Sequence, residues 1–287
     1  MLLRRDFTKL ALAATAVAVP ASGKINSVFG GVPLGAQSYS FRDRDVDGAV
    51  AAMKEIGIGY TELFSGHVEP KVDRGPAGQA ALNKWRLEVK KEEIAKIKAK
   101  FDAAGINIYA FNYSFRDSFS DEEIDKGFVI AKWLGAKYIT ASSNVATAKR
   151  VAPAAAKHKM MVGMHNHSRI VPNEFATAEN FAEAMKAGPF IGINLDIGHF
   201  WAANFDAVPF MKEHHDHIVT IHVKDRKKNQ GDNMPFGEGD TPIKEVLLQM
   251  KANKWKIPAM IEYEYKGADT VAEVKKCFEY CKAILTA

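Results

Sequence analysis

The histidines and carboxylates of this chain that could do chemistry collect at the ends of four apolar runs. MMVGMHNH closes at His167, IGINLDIGH at His199, IVTIHVKD at Asp225 and PAMIEYEY at Tyr265. Imidazole nitrogen suits divalent first-row ions, and carboxylate oxygen supplies the charge that compensates the cation. His165, Asp196, His222 and Glu262 are therefore the expected ligands of one metal ion, each from a different segment. In MHNH, His165 and His167 point the same way and Asn166 the opposite way, because side chains alternate along a strand. Asp196 closes INLD, where a buried carboxylate is costly without a cation or strong hydrogen bonds. His222, between Ile221 and Val223, is the clearest inward-facing polar position. In IEYEY, Glu262 is expected deeper and Glu264 at the rim. Glu62, in TELF, is open to three roles: a fifth ligand, a substrate contact or an ion-pair partner.

Such residues can converge only if the runs are strands ending on one rim. Runs apolar throughout read as strands buried on both faces of a parallel sheet, and ligands of such sheets sit outside the carboxyl ends of the strands. Eight runs fit: VPLGAQSYSF from Val32, GYTELF from Gly59, INIYAFNY from Ile106, AKYITAS from Ala136, KMMVGMHNH, IGINLDIGH, IVTIHVKD and IPAMIEYEY. Helices are expected between them, around 45–57, 82–104, 120–134, 145–157, 176–187, 205–216, 241–255 and 269–285. Ser120 before DEEI has capping-box spacing, and Gly105 and Gly135 stand where helices would stop. Eight consecutive βα units predict an α/β chain closed into a (β/α)8 TIM barrel, a single domain over residues 32–287.

Length, 287 residues, and composition, 47% hydrophobic and 25% charged, suit one large globular domain. KDRKK at 224–228 is too short and mixed for nucleic-acid binding and reads as a solvated loop. GEGD at 237–240 reads as a turn before a helix capped by Asp240. His214, His215 and His217 lie at a polar helix end and read as surface. Cys277 and Cys281, four apart on a helix, read as packed thiols. No GxGxxG or GxSxG motif is present in a fitting context, so dinucleotide and acyl-serine chemistry are disfavoured.

The opening MLLRRDFTKLALAATAVAVPASG has paired Arg4 and Arg5, an apolar stretch from Leu10 to Val19 and small residues after it. It is too short for a membrane span in the mature chain and reads as an export signal over residues 1–21. RRDFTKL resembles the twin-arginine signal, which implies export of a folded protein to the periplasm. Loss of Arg4, Arg5 and Lys9 against Asp6 would lower the formal net charge from +5 to +3.

Together MHNH, LDIGH, HVKDR followed by GEGD, and IEYE resemble the xylose-isomerase-like barrel superfamily, specifically its sugar phosphate isomerases/epimerases, from about Val32 onward. The resemblance implies one divalent ion (manganese, cobalt, zinc, iron or magnesium) and a keto-sugar or polyol substrate handled through an enediolate. Glu262, His199 and Lys224 are the expected catalytic groups, and Glu62, His167 and Asn112 the expected sugar contacts. Many members carry a glutamate on the fifth strand where this chain has His165, which weakens simple two-base epimerisation and raises a lyase or dehydratase acting on a 3-keto-glycoside or inosose. A non-catalytic periplasmic sugar-binding protein is a further alternative. A multi-zinc endonuclease would need histidines where Glu62 and Asn112 stand. The sequence leaves a homo-oligomer open.

Overall fold

The structure is a computed structural model that describes residues 23–287; the expected export signal at 1–21 lies outside the described residues. Eight parallel strands form the centre: β1 (Val32–Gln37), β2 (Tyr60–Phe64), β3 (Asn107–Asn112), β4 (Tyr138–Ala141), β5 (Val162–His165), β6 (Ile191–Asp196), β7 (Ile218–Val223) and β8 (Ala259–Ile261). Each pairs with its sequence neighbours, and β1 also pairs with β8, so the sheet closes on itself. The expected (β/α)8 barrel is the fold. β6 and β7 are buried at every position, as strands covered by helices outside and side chains inside must be. Gly35 in β1 permits close neighbours: a Cβ there would lie 2.4 Å from the Tyr60 carbonyl oxygen and 2.6 Å from Met260 Sδ.

The helical layer comprises α1 (Val46–Ile56), α2 (Pro76–Glu88), α3 (Lys91–Ala104), α4 (Asp121–Leu134), α5 (Val145–His158), α6 (Ala178–Met185), α7 (Ile197–Ala202), α8 (Ala207–His214), α9 (Ile243–Ala252) and α10 (Thr270–Thr286). The Ser120 hydroxyl accepts the Glu123 N–H while the Glu123 carboxylate accepts the Ser120 N–H, the expected capping box. Gly105 and Gly135 end α3 and α4 at φ 76° and 75°, in the left-handed region.

Several expectations need correction. The helix expected at 82–104 is two helices, because Val89 is extended and the Glu93 carboxylate restarts the chain by accepting the Lys90 N–H. The helix expected at 205–216 stops at His214 and ends in a 3-10 turn, His215–His217. Asp240 caps no helix: its carboxylate holds Lys227, and α9 starts at Ile243. In the KDRKK run, Lys224, Asp225 and Arg226 are buried. Asp225 gathers the following loop by accepting the N–H groups of Gly237, Gly239 and Thr241.

Cys277 and Cys281 are buried and unbridged. Burial pushes the Cys277 thiol up to about 12 and Cys281 well above the ordinary value. Since thiolate is the reactive form, neither should be alkylated by iodoacetamide at pH 8 in the folded protein, and both should be in denaturant. Mass spectrometry checks this; rapid labelling of the native chain would show that α10 is not packed as described.

Candidate metal centre

The rim at the carboxyl ends of β5 to β8 brings the four expected ligands together. His165 ends β5 and Asp196 ends β6; His222 lies in β7 beside Asp196 in register; Glu262 directly follows β8. One donor atom from each lies within 4.8 Å of the others. His165 Nε2 is 3.6 Å from Asp196 Oδ2 and 4.0 Å from Glu262 Oε2, and His222 Nδ1 is 3.2 Å from that same Glu262 oxygen. Exposure of the four residues runs from 0% at Asp196 to 8% at Glu262, so water cannot solvate their charge.

A divalent ion fits this set. His165 Nε2 and Asp196 Oδ2 are buried and make no hydrogen bond among the described residues, which leaves two lone-pair positions facing the cluster centre. Two imidazoles and two carboxylates are a donor set for first-row ions. Burial opposes a proton on His222, yet Glu62 and Glu262 outweigh it and hold its pKa well above the usual histidine value. The negative charge that favours a proton there favours any cation in the same place. Burial likewise opposes the charge of Asp196 and Glu262. His199, Lys224 and His165 nevertheless keep Asp196 well below the ordinary carboxylate range, and Lys224, His222 and His165 do the same for Glu262.

Local structure fixes each donor. Asp196 is also the N-cap of α7: its Oδ1 accepts the His199 N–H at 2.6 Å, leaving Oδ2 for the cluster. Asn166 points away from the centre, as expected, and clamps β5 to β6 by accepting the Asp196 N–H at 2.9 Å and donating to the Asp196 carbonyl at 3.1 Å. Ser142 Oγ lies 3.3 Å from His165 Nδ1.

Glu62 is placed differently from the expected sugar contact. It is fully buried inside the barrel, and Gln37, Asn112 and Thr140 donate to its Oε1 at 2.7, 3.2 and 2.7 Å. His222 Nε2–H donates to its Oε2 at 2.9 Å, so a cation in the cluster would replace only the other ring proton, the one on Nδ1 facing Glu262. Glu62 therefore orients a ligand from beneath. Asn112 supports Glu62 and also lines the cavity above the cluster.

His199 and Lys224 reach the same rim. The Arg226 guanidinium lies 2.7 Å from His199 Nδ1 and donates to Ser168 Oγ and to the Gly231 carbonyl, so it positions a ring and a loop. Lys224 is 2% exposed and pairs with Glu262 and Glu264, each at 2.7 Å. Burial opposes its charge, but Asp196, Glu262 and Glu264 raise it above the ordinary lysine range. Glu264 is at the rim, as expected. Burial, then His165, pushes His167 down to about 4, so it is neutral at pH 7.

Above the cluster opens a cavity of about 340 Å³, whose walls include Tyr39, Phe64, Asn112, Ser114, Arg116 and His167. A wider groove of about 810 Å³ lies among Leu87, Ile124 and Pro153 on the helical layer, away from these donors. Sequence reasoning missed Gln37, Thr140, Asn194 and Ser142. Gln37 ends β1 and Ser142 directly follows β4, while Thr140 and Asn194, whose amide nitrogen lies 3.1 Å from His222 Nε2, stand inside β4 and β6; alternation along those strands was the available signal.

Among the described residues no helix is long and apolar enough to cross a membrane. Against known proteins, 112 residues are 30% identical to the L-ribulose-5-phosphate 3-epimerase UlaE of Escherichia coli. That match spans 39% of the chain and only 39% of the length of this curated relative. Solved folds match more broadly at lower identity. The 3-keto-D-glucoside 4-epimerase YcjR of E. coli superimposes with TM-score 0.66 at 13% identity, over 88% of this chain and 99% of that one. The probable 3-DHS dehydratase AsbF of Bacillus anthracis does so with TM-score 0.63 at 17% identity, over 86% and 98%. The xylose isomerase-like TIM barrel model matches residues 50–284, from within α1 almost to the end of α10, and with the closed barrel and its rim of donors the chain belongs to that family.

Proposed function

We propose that the protein is a metal-dependent sugar isomerase or epimerase that moves a proton at the carbon beside the carbonyl of a keto-sugar. The observation that carries this reading is the buried quartet His165, Asp196, His222 and Glu262, whose donor atoms converge on one point beneath an open cavity, two of them without a hydrogen bond among the described residues. The epimerase named among the partial relatives supports the same class.

A divalent ion held by these four groups would polarise neighbouring substrate oxygens and stabilise the negative charge left when the proton departs, by several kcal/mol. The protein's own groups do the rest. The Glu262 carboxylate, kept ionised, takes the proton. The Lys224 ammonium fixes Glu262 and Glu264 at the rim, and His199 holds a substrate oxygen and relays its proton. His167, neutral at pH 7, and Asn112 orient the ring. Glu62 keeps His222 from turning.

A lyase outcome has one specific observation in its favour. The carboxylates Glu262 and Glu264 stand on the β8 side, while His165 and His167 occupy the β5 side. With no carboxylate on β5 itself, loss of a β-substituent competes with reprotonation from the opposite face. Incubation of manganese-loaded protein with D-fructose, inosose and a methyl 3-keto-glucoside in deuterated water separates the outcomes. Deuterium in recovered sugar without loss of water or methanol supports isomerisation; release of water or methanol supports the lyase. No exchange and no release with metal bound would leave a sugar-binding role. Export through the twin-arginine route is part of the proposal, tested by cell fractionation of the chain and of an Arg4→Lys, Arg5→Lys variant.

A further inference from the structure

Lys224 stands on a second set of donors. His199, Glu262 and Glu264 each offer an atom within 4.8 Å of the others, and this set shares Glu262 with the quartet. Two donor sets joined by a common carboxylate are the usual framework of a two-ion centre. Here a side-chain nitrogen sits on the outer set: Nζ is 2.7 Å from Glu262 Oε2, 2.7 Å from Glu264 Oε2, 3.0 Å from His199 Nε2 and 3.2 Å from Asp196 Oδ2.

We propose that the Lys224 ammonium occupies the second cation position, so that the centre takes one divalent ion and keeps a permanent protein charge where another would bind. This rests on the ion centre proposed above. Charge balance argues for it. Asp196, Glu262 and Glu264 contribute three negative charges, which one divalent ion and one ammonium match. Two divalent ions beside that ammonium would leave a buried excess of positive charge, which is costly without a partner. Lys224 is also too enclosed to swing into solvent and vacate the place. An ammonium there cannot be chelated or exchanged, and its three N–H donors are matched by the oxygens of Glu262, Glu264 and Asp196.

The test is the manganese stoichiometry of purified full-length protein, by elemental analysis and titration calorimetry, with paramagnetic resonance of the bound Mn²⁺. The wild type should bind one ion per chain with the spectrum of an isolated ion. Lys224→Met, similar in shape but uncharged, should bind two, and its spectrum should show a coupled pair. Lys224→Arg should return to one. Glu264→Gln, which keeps the ammonium but removes one of its counter-charges, should still bind one isolated ion, with lower affinity, and this arm stands if Lys224→Met does not fold. A single isolated ion in folded Lys224→Met, or two ions in the wild type or in Glu264→Gln, each overturns the inference. A wild type that binds no manganese overturns the ion centre itself.

Discussion

An Asp196→Asn chain is expected to lose its bound divalent ion and at least about 10³-fold in turnover while remaining folded. Asparagine keeps the oxygen that accepts the His199 N–H and caps α7, so the first turn of that helix stays satisfied. What disappears is the charge at Oδ2, the buried atom that faces His165 and His222 and has no hydrogen bond of its own. Folding should thus survive the loss of ion binding, with the variant about as stable as the ion-free wild type. Elemental analysis should find about one ion per wild-type chain and almost none in the variant. Adding EDTA should lower the melting temperature of the wild type, because a ligand present at a thousand times its Kd stabilises the folded state by about 4 kcal/mol. It should leave the variant unmoved. Retention of a full complement of ion in Asp196→Asn would remove this aspartate from the ligand set.

Glu62→Leu should cost about 3–5 kcal/mol of stability, because it removes one partner of a buried charged network and strands the others. Gln37, Asn112, Thr140 and His222 would each lose an acceptor, and of these Asn112 keeps Thr140 Oγ1 at 3.2 Å. For a domain of this size the melting temperature should fall by roughly 10 °C. Glu62→Gln is the gentler probe. It preserves shape but weakens the hold on His222 Nε2–H, and loss of a partner behind a metal-binding imidazole typically lowers ion affinity by about 10–100-fold. Thermal melts of both variants and calorimetric titration of Glu62→Gln with Mn²⁺ check the pair. A Glu62→Leu chain as stable as wild type would mean that the polar layer inside the barrel does not hold it together.

The barrel was legible because its strands are apolar throughout and its helices are not, so the period changes at each boundary. The meeting of His165, Asp196, His222 and Glu262 was legible for a related reason: each polar group ends an otherwise apolar run. The layer under them was not. Gln37 and Thr140 have no distinguishing neighbours in sequence, and they matter only because barrel closure stacks them on Glu62 from other strands. Without that stacking a carboxylate on β2 reads equally well as a sugar contact. Lys224, Asp225 and Arg226 misled in the opposite direction. A run of charges reads as solvated, yet each finds opposite charge, carbonyls or N–H groups brought from distant loops. The break between α2 and α3 was hidden because Lys/Glu-rich sequence continues across Val89, and only the backbone turn there separates the helices.

Asp196 serves two masters with its two oxygens, one answering to a helix and the other to the pocket. A descendant that abandoned the chemistry would still have reason to keep an aspartate there, as a helix start alone. In comparing homologues, then, this residue is poor testimony that catalysis survives. His165, whose inward nitrogen has no structural employment, is the better witness.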